Sequence, residues 1–396
     1  MAESMATEAA TKPLFSVDDM LAAASAATGL DDFGDEEFRE ALMRLVDSTN
    51  EESSLSPIGA AAFRGDVQRL LVNRLRFAAD LKKHPEILDE DVSNPIVVLG
   101  LPRTGTTKLQ RLLATDPDVQ RLEYWRLFNP APFPDMAPGQ PDPRVAAAKE
   151  ALTMMAQLMP GWSESHPTAF DAVDEEVFLQ LFTFKCVFTH MSRPVPSYRA
   201  WYNTQPQRGT YRYMKQMLQY LQWQDGGKQN RPWILKSPAH VGNVDLVLEM
   251  FPQATLVMTH RPPRQALTSH CRLMEASWRL FSDNVDKAAI GRAVLDDFPG
   301  ELRKHLKLRD QMANSSNPLP IYDVMYDDLK HDAMNVVREI YRRAGRELTP
   351  KREQAMRAWE AQQRSHREGS YQADDYGITN EMIDDSCREY IGRFIT

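Results

Sequence analysis

The chain has few cysteines, no long apolar run and no excess of positive charge, and each absence excludes a class of protein. Its 396 residues include only three cysteines, Cys186, Cys271 and Cys387, which are too widely spaced for a zinc site or a disulfide framework. No segment approaches the roughly 18 apolar residues that a membrane-spanning helix requires. The net charge of −8 argues against nucleic acid as a partner, because phosphate backbones bind basic surfaces.

The N-terminal residues lack the basic start and the apolar run of a secretory signal, so we expect a cytoplasmic location and no transmembrane segment. Residues 1–12 are small and polar, which is typical of a disordered start. Three segments with apolar residues at helical spacing then begin after Ser16, after Asp35 and at Phe63. These features predict an N-terminal helical region over residues 1–90, which could serve as an interface in an oligomer.

Residues 91–396 show the alternation of strands and helices that is typical of an α/β domain. Ile96-Val-Val-Leu99 is a short, β-branched apolar run that predicts a buried strand, and a helix over residues 106–115 follows after a turn. Three later strands are predicted over residues 233–236, 254–259 and 320–324, each followed by a helix. The sequence therefore predicts a P-loop-like parallel sheet flanked by helices.

Residues 125–230 separate the first strand unit from the second and are rich in proline, methionine and aromatic side chains. We predict helices over residues 151–159 and 177–188, each with a stripe of methionine or phenylalanine side chains. Such stripes are typical of core packing, but they also suit an adaptable apolar pocket. Insertions at the carboxyl ends of parallel strands crowd over the ligand crevice, so this helical insertion is expected to build a ligand pocket.

The loop after the first strand, Gly100-Leu-Pro-Arg-Thr-Gly-Thr-Thr107, has the spacing of a nucleotide-phosphate loop. Its backbone N–H groups and the start of the following helix can bind a compact tetrahedral anion. The residues assigned to this anion site are Arg103, Thr104, Gly105, Thr106 and Thr107. Thr106 replaces the lysine that would reach the outer phosphates of ATP, so a triphosphate with Mg²⁺ fits poorly. A structural glycine turn or a degenerate triphosphatase loop is the alternative.

Four segments of the chain resemble motifs of one enzyme family. Leu101-Pro-Arg-Thr-Gly-Thr-Thr107 resembles the 5′-phosphosulfate loop of sulfotransferases that use 3′-phosphoadenosine-5′-phosphosulfate (PAPS), in the branch that has arginine in place of lysine. Further similarity, over about residues 95–345, is carried by Trp233-Ile-Leu-Lys-Ser-Pro-Ala-His240, Thr259-His-Arg-Pro-Pro-Arg264 and Tyr326-Asp-Asp-Leu329. The N-terminal helices and the tail over residues 364–377 look similar to a bacterial-type branch that acts on small or lipid-like alcohols.

The resemblance implies roles for residues in the second half of the site. Arg261 and Ser269 match an Arg-x7-Ser pair that holds the donor's 3′-phosphate in this family, and an arginine fork beside a hydroxyl suits that task. Lys236 ends a short apolar strand, where related tyrosylprotein-type enzymes place a catalytic lysine that stabilises the leaving phosphate. A late basic cluster with Arg364 and Arg367 could close over the nucleotide or could be a solvated charge run.

Sulfuryl transfer to an alcohol is helped by a base beside the hydroxyl, and the sequence leaves several candidates open. Glu123 lies near the position of a catalytic glutamate in the tyrosylprotein-type enzymes. The bacterial-type branch has a Trp-Glu pair here, and the chain departs from that pattern with Trp125-Arg126. A histidine such as His166 titrates near neutral pH unaided, whereas Glu175 or Glu176 would need burial to raise its pKa.

The sequence predicts a PAPS-dependent sulfotransferase that acts in line, without a metal, on a hydroxyl of a small or lipid-like acceptor. Arg103 and Lys236 would stabilise the leaving phosphate while one of the candidate bases takes the acceptor proton. A degenerate P-loop phosphotransferase or NTPase is one alternative, and it predicts dependence on ATP and Mg²⁺. A non-catalytic nucleotide-binding protein is the other, and it predicts binding without turnover.

Overall fold

The computed structural model of the chain describes residues 14–134, 139–158, 168–227, 231–313, 321–362 and 372–395. The predicted disordered start, the candidate base His166 and the basic cluster with Arg364 and Arg367 lie outside these residues. Within the described ranges, no helix is both long enough and apolar enough to cross a membrane.

Four strands form one parallel sheet with the order β2-β1-β3-β4. They are β1 (Ile96–Gly100), β2 (Ile234–Lys236), β3 (Thr255–His260) and β4 (Ile321–Met325). Every residue of β1 and β2 is buried, and alternate residues of β1 join apolar clusters on opposite faces of the sheet. Burial on both faces explains the unbroken apolar runs of these strands. The predicted P-loop-like parallel sheet flanked by helices is thus confirmed.

Helices cover both faces of the sheet and make up most of the remaining described chain. In chain order they are α1 (Val17–Thr28), α2 (Glu37–Glu52), α3 (Pro57–Lys83), α4 (Thr106–Leu113), α5 (Tyr124–Phe128), α6 (Pro143–Leu158), α7 (Val187–Met191), α8 (Pro196–Tyr202), α9 (Arg208–Gln224), α10 (Val244–Met250), α11 (Pro263–Phe281), α12 (Lys287–Ala313), α13 (Tyr326–His331), α14 (Ala333–Arg343), α15 (Pro350–Gln362), α16 (Asn380–Ser386) and α17 (Arg388–Phe394). Shorter 3₁₀ helices cover Pro85–Asp89, Glu176–Thr183, Pro238–Asn243 and Ala373–Tyr376. The helices predicted after the first three strands are observed as α4, α10 and α11.

The topology brings three segments of the predicted site to one edge of the sheet. Because β1 lies between β2 and β3, the loop after β1 has the end of β2 on one side and the end of β3 on the other. The register pairs Val98 with Lys236, and Gly100 with Thr259. The carboxyl ends of parallel strands meet at the same edge, so residues that are far apart in the sequence converge there.

The N-terminal helices belong to the same core as the sheet. Ser56 caps α3 with its side chain and Pro57 occupies the first helical position, as the start signals of a helix predict. Buried side chains of α1 to α3, such as Phe63, join those of β1, such as Leu99, in one apolar cluster. The predicted N-terminal helices are therefore present, while a domain boundary at residue 90 stays a prediction.

The insertion differs from its prediction at one point. The first predicted helix is part of α6, which begins at Pro143. The continuous helix predicted over residues 177–188 is wrong: the chain forms a 3₁₀ helix over Glu176–Thr183, turns at Phe184 and begins α7 at Val187. Phe184 has a left-handed backbone with a φ of 54°, a conformation that ends a helix. Apolar periodicity does not reveal this turn, because Phe184 is buried like its neighbours.

Candidate active site

The loop between β1 and α4 has the backbone of an anion site. Its φ angles are positive at Gly100 (145°), Arg103 (67°) and Gly105 (92°), so the chain turns sharply before α4 begins. Gly105, which precedes the helix, has no side chain to cap it, and because the first N–H groups of a helix have no partner within the helix, those of Thr106 and Thr107 suit a ligand. The N-terminal end of a helix attracts negative charge, and the loop therefore suits a phosphate or sulfate group.

Buried hydrogen bonds hold this loop against β3. Thr104 is fully buried, and its hydroxyl donates to the Leu101 carbonyl (2.7 Å) and lies 2.7 Å from the Thr259 hydroxyl. The guanidinium of Arg261 donates from Nη1 to the carbonyl of Arg103 (2.9 Å). An arginine that was predicted to bind a ligand therefore also positions the loop, across 158 residues of sequence.

Arg261 is held in place by two further neighbours. Its Nε donates to Gln265 Oε1 (2.7 Å), and its guanidinium carbon lies 4.3 Å from the centre of the Tyr326 ring. Stacking on an aromatic face orients the planar cation. Ser269 is partly exposed in α11, about 9 Å along the helix axis from Pro263. The arginine and the serine thus lie at the start and in the second turn of the same segment.

Lys236 is fully buried at the end of β2 and is paired with a carboxylate of the insertion. Its ammonium forms an ion pair with Glu175, whose side chain also accepts a hydrogen bond from the Ser237 hydroxyl (3.4 Å). The backbone N–H of Lys236 donates to the neighbouring Glu176 (2.6 Å). A buried ammonium needs a negative partner, and the pair therefore places a cation and a carboxylate together at the sheet edge.

Glu176 has a different environment from Glu175. Its carboxylate is fully buried and lies 2.5 Å from His240 Nε2, while His240 Nδ1 lies 2.9 Å from the Tyr211 hydroxyl. Burial raises the pKa of Tyr211 well above its ordinary value, so the tyrosine stays protonated and can donate to the ring. The arrangement fits a His240 tautomer that donates from Nε2 to Glu176. This buried chain of hydrogen bonds ties the insertion to the sheet.

Glu123 makes its contacts away from Lys236. Its backbone forms an antiparallel bridge with Val173, just before α5 begins. Its carboxylate is about one-quarter exposed and lies 3.3 Å from Arg121 Nε. Among the predicted bases that the structure describes, the carboxylate in contact with the Lys236 ammonium is therefore Glu175.

A cavity of about 320 Å³ lies beside Glu175, and we term it the edge cavity. Leu101 and Pro102 of the loop line one part of it, together with Glu175 and Ser237. The other lining side chains include the apolar Phe178, Val187, Phe188, Met191, Val241 and Leu273 and the polar or charged Asn203, Gln205, Gln207, Asn243, Asp296, Asp297, Glu301 and Lys304. An apolar molecule in this cavity would therefore lie next to both the loop and the Lys236–Glu175 pair.

Two buried histidines, His190 and His270, also line the edge cavity. None of their ring nitrogens has a hydrogen-bond partner within the described residues. The pKa of each is lowered to about 4, mainly by burial and at His270 also by the charge of Arg103, so both rings are neutral near pH 7. A neutral imidazole both donates and accepts, and these rings can therefore bind a hydroxyl group.

His270 and the contact between Tyr326 and Arg261 are not apparent from the sequence. The available signal for His270 was its position directly after Ser269, which places it one residue further along the same helix. Tyr326 was identified only as the first residue of the Tyr-Asp-Asp-Leu segment. Its contact with Arg261 exists because β4 lies beside β3, and no local pattern shows which strands are neighbours.

Comparisons with known proteins point to one family. Residues 95–350 match the sulfotransferase family. The chain resembles the crystal structure of sulfotransferase STF1 from Mycobacterium tuberculosis H37Rv, with 31% sequence identity, a TM-score of 0.80, and coverage of 95% of this chain and 99% of that chain. It also resembles sulfotransferase STF9 from Mycobacterium avium, with 29% identity, a TM-score of 0.82, and coverage of 96% and 97% respectively. A search of the curated proteins found no match.

The family match spans the sheet and the candidate site at its edge. The matched residues 95–350 contain all four strands, the glycine loop, Lys236 and Arg261. The likeness to STF1 extends over the N-terminal helices as well, because it covers 95% of the chain. With more than half of its length matched in this way, the chain belongs to the sulfotransferase family.

Proposed function

We propose that this sulfotransferase moves a sulfuryl group from PAPS to the hydroxyl of a small or lipid-like alcohol, in line and without a metal. The observation that carries the proposal is the convergence of the glycine loop, the buried Lys236–Glu175 pair and the edge cavity at one edge of the sheet. The loop suits an anionic donor, the pair supplies a cation and a base, and the cavity suits an apolar acceptor.

The donor site fits PAPS in charge. The exposed side chain of Arg103 and the N–H groups of residues 104–107 would hold the 5′-phosphosulfate. Arg261 and Ser269 would hold the 3′-phosphate, and the stacked guanidinium of Arg261 is already oriented for it. When bound, PAPS supplies the sulfuryl group that is transferred. Two arginines outside the described residues stay candidates for closing over the nucleotide: Arg364 and Arg367.

Glu175 is the base that the geometry favours among the predicted candidates. It lines the edge cavity and contacts Lys236. A proton taken from the acceptor hydroxyl would neutralise Glu175 and release the charge of Lys236 for the leaving phosphate. Arg103 would stabilise the same developing charge from the loop. His190 and His270, both neutral in the same cavity, can orient the hydroxyl.

Arg261→Ala is expected to weaken binding of 3′-phosphoadenosine-5′-phosphate (PAP), the donor's product form, by about 10- to 100-fold. The substitution removes the guanidinium cation and also its hydrogen bond to the Arg103 carbonyl, which positions the loop. Calorimetric titration with PAP, in parallel with ATP and Mg²⁺, measures the effect. Arg264→Ala is the matched control, because Arg264 is exposed and pairs with Asp384.

The same titrations separate the proposal from its alternatives. Preference for ATP with Mg²⁺ over PAP would favour a phosphotransferase and would contradict PAPS as the donor. Binding of PAP without turnover of any alcohol would favour a non-catalytic nucleotide-binding protein.

Gly100→Ala is expected to lower the free energy of unfolding by about 2–5 kcal/mol and to weaken PAP binding at least about tenfold. An added Cβ atom would lie 2.6 Å from both the backbone oxygen and the hydroxyl of Thr259, so the loop and β3 would have to separate. Gly345→Ala is the control, because Gly345 has a positive φ (63°) but open space around it. Urea unfolding and the PAP titration measure both effects, and equal losses in the two variants would contradict the role of the close contact.

A cytoplasmic location is part of the proposal. Cys186, Cys271 and Cys387 are all buried and free. Burial raises the pKa of Cys186 and Cys271 to about 12, so both remain thiols at physiological pH. Buried, unpaired thiols are typical of proteins from reducing compartments.

A further inference from the structure

We propose that the acceptor is an elongated apolar alcohol whose chain passes from the edge cavity into a second, inner cavity. The inner cavity has a volume of about 190 Å³ and is lined by residues of α2, α3, the insertion and the end of α11. This inference rests on the proposed function, because it takes the edge cavity as the place where the hydroxyl reacts. It narrows the acceptor class through the lining and the arrangement of the two cavities.

The two cavities share a wall that consists of two aromatic rings. Phe178 and Phe188 line both cavities, and their rings pack edge to face with centroids 4.8 Å apart and planes at 82°. Both side chains are only partly buried, as expected for rings that border open space. Rotation of a phenylalanine side chain breaks no hydrogen bond, so this wall can open to a ligand at low energetic cost.

Two helices run alongside both cavities and show how they are arranged. In α7, Val187 and Met191 line the edge cavity, whereas Thr189 lines the inner cavity. In α11, Leu273 borders the edge cavity and Ser277, one helical turn later, borders the inner cavity. One turn advances the helix by about 5 Å. Since α11 begins beside the loop, the inner cavity continues the edge cavity in the direction away from the sulfuryl site.

The charged groups at the inner cavity are matched by partners within the protein. Asp66 lies 3.3 Å from Arg193 and 3.8 Å from Arg69. Asp174 accepts a hydrogen bond from the N–H of Glu175 (2.9 Å). Because these charged side chains already have partners within the protein, the cavity does not require a charged ligand.

The rest of the inner cavity is mainly apolar. Its apolar lining includes Leu45, Val67, Leu70, Leu181, Phe184 and Leu280. A sugar or another polyol would lose its hydrogen bonds to water against such a surface, whereas a hydrocarbon chain loses none. The lining therefore selects an apolar chain, while the histidines and Glu175 of the edge cavity receive its hydroxyl end.

The test uses straight-chain primary alcohols from butanol to hexadecanol. Each alcohol is assayed with PAPS and is also titrated calorimetrically into the protein bound to PAP. Burial of one methylene group strengthens binding by about threefold to fourfold. We expect kcat/KM and affinity to rise by about this factor for each methylene that enters the inner cavity, and then to level off. A plateau reached with the shortest alcohols would overturn the inference.

Two substitutions change the inner cavity in opposite directions. Leu280→Trp narrows it, and we expect the ratio of kcat/KM for dodecanol over butanol to fall at least about tenfold. Phe188→Ala removes half of the shared wall, and we expect the same ratio to rise about threefold or more. Leu348→Trp is the matched control, because Leu348 is also a partly buried leucine but packs in the apolar cluster on the other face of the sheet.

The outcomes distinguish this inference from the proposed function. Short alcohols could be sulfated while neither Leu280→Trp nor Phe188→Ala changes the ratio of kcat/KM for dodecanol over butanol. That result would overturn the two-cavity acceptor and leave the sulfotransferase proposal standing. Absence of PAP binding would contradict the proposed function. Because calorimetry measures binding without turnover, a rise in affinity with chain length that Leu280→Trp abolishes supports the inner cavity independently of the reaction rate.

Discussion

Lys236→Met is expected to lower kcat by about 100- to 1,000-fold while the dissociation constant of PAP changes by less than about fivefold. The substitution keeps an unbranched side chain but removes the buried cation beside Glu175. Charge that develops on the leaving phosphate only in the transition state then lacks its partner, so the loss falls on turnover rather than on binding. Steady-state kinetics and PAP titration measure the two quantities separately.

Breaking the Lys236–Glu175 pair also has a structural effect, which a second variant isolates. Lys236→Met alone leaves the mostly buried carboxylate of Glu175 without its cationic partner, which costs about 3 kcal/mol of stability. The double variant Lys236→Met/Glu175→Gln removes both charges and is expected to regain that stability but not the turnover. Equal losses of PAP affinity and of kcat in the single variant, or recovered turnover in the double variant, would contradict the assigned roles.

Acidification from pH 7 to pH 4 is expected to lower the free energy of unfolding by several kcal/mol through three buried histidines. Burial lowers the pKa of His190, His270 and His305 to about 4 in the folded protein, against an ordinary value of 6.5. Between these values the unfolded chain binds protons that the folded protein excludes. The stabilisation is therefore complete above about pH 6.5 and is lost as the pH falls to about 4, with each histidine contributing on the order of 3 kcal/mol.

The hydrogen bonds of His305 show why its neutral ring is favoured. Its Nδ1 donates to the Val241 carbonyl (3.0 Å), and its Nε2 accepts from Arg309 Nε (2.9 Å). Protonation of Nε2 would set two N–H groups against each other beside a guanidinium charge. The pKa of His305 is therefore lowered by burial and then by Arg309.

At His190 and His270, the pKa depends on burial and on nearby charges of both signs. Asp297 favours the protonated form of both rings, while Arg199 opposes it at His190 and Arg103 opposes it at His270. Burial outweighs these charges at both positions: the ring nitrogens have no hydrogen-bond partner within the described residues, and His190 Nδ1 lies 3.9 Å from the Asp297 carboxylate. Both histidines therefore act as acid-sensitive positions inside the edge cavity.

Urea unfolding at several pH values between 8 and 4 measures this dependence. His270→Gln is expected to reduce the slope of stability against pH by on the order of 1 kcal/mol per pH unit between pH 6.5 and pH 4. His331→Gln is the control, because His331 is exposed at the end of α13. A slope that is the same in His270→Gln and in the unmodified protein would contradict the contribution of this ring.

Local patterns were sufficient to predict the sheet and the turn of the loop after β1. Ile96–Leu99 is apolar throughout because β1 is covered on both faces. A strand buried on both faces has an unbroken apolar run, which is recognisable in the sequence. The glycines at 100 and 105 mark positions where the backbone has a positive φ. A helix that begins directly after such a loop brings its own N–H groups and dipole, so the proposed anion site depends on a few consecutive residues.

Arg261 shows where sequence information becomes incomplete. Its position directly after a strand, eight residues before Ser269, predicted that it lies at the ligand edge of the sheet. Its hydrogen bond to the Arg103 carbonyl and its stacking on Tyr326 were not predictable, because they depend on β3 lying between β1 and β4. The order of strands in a sheet is set by packing of the whole chain rather than by any one segment.

The sequence by itself determined the strand–loop–helix unit, the glycine positions of the loop and the position of Lys236 at a strand end. Only the tertiary structure decided that Glu175 is the carboxylate beside Lys236, 61 residues away in the sequence, and that the insertion turns at Phe184 to border two cavities. Backbone conformation depends on a few neighbouring residues, and patterns in the sequence record it. The meeting of distant side chains depends on how the insertion folds over the sheet, and one sequence read locally does not contain that information.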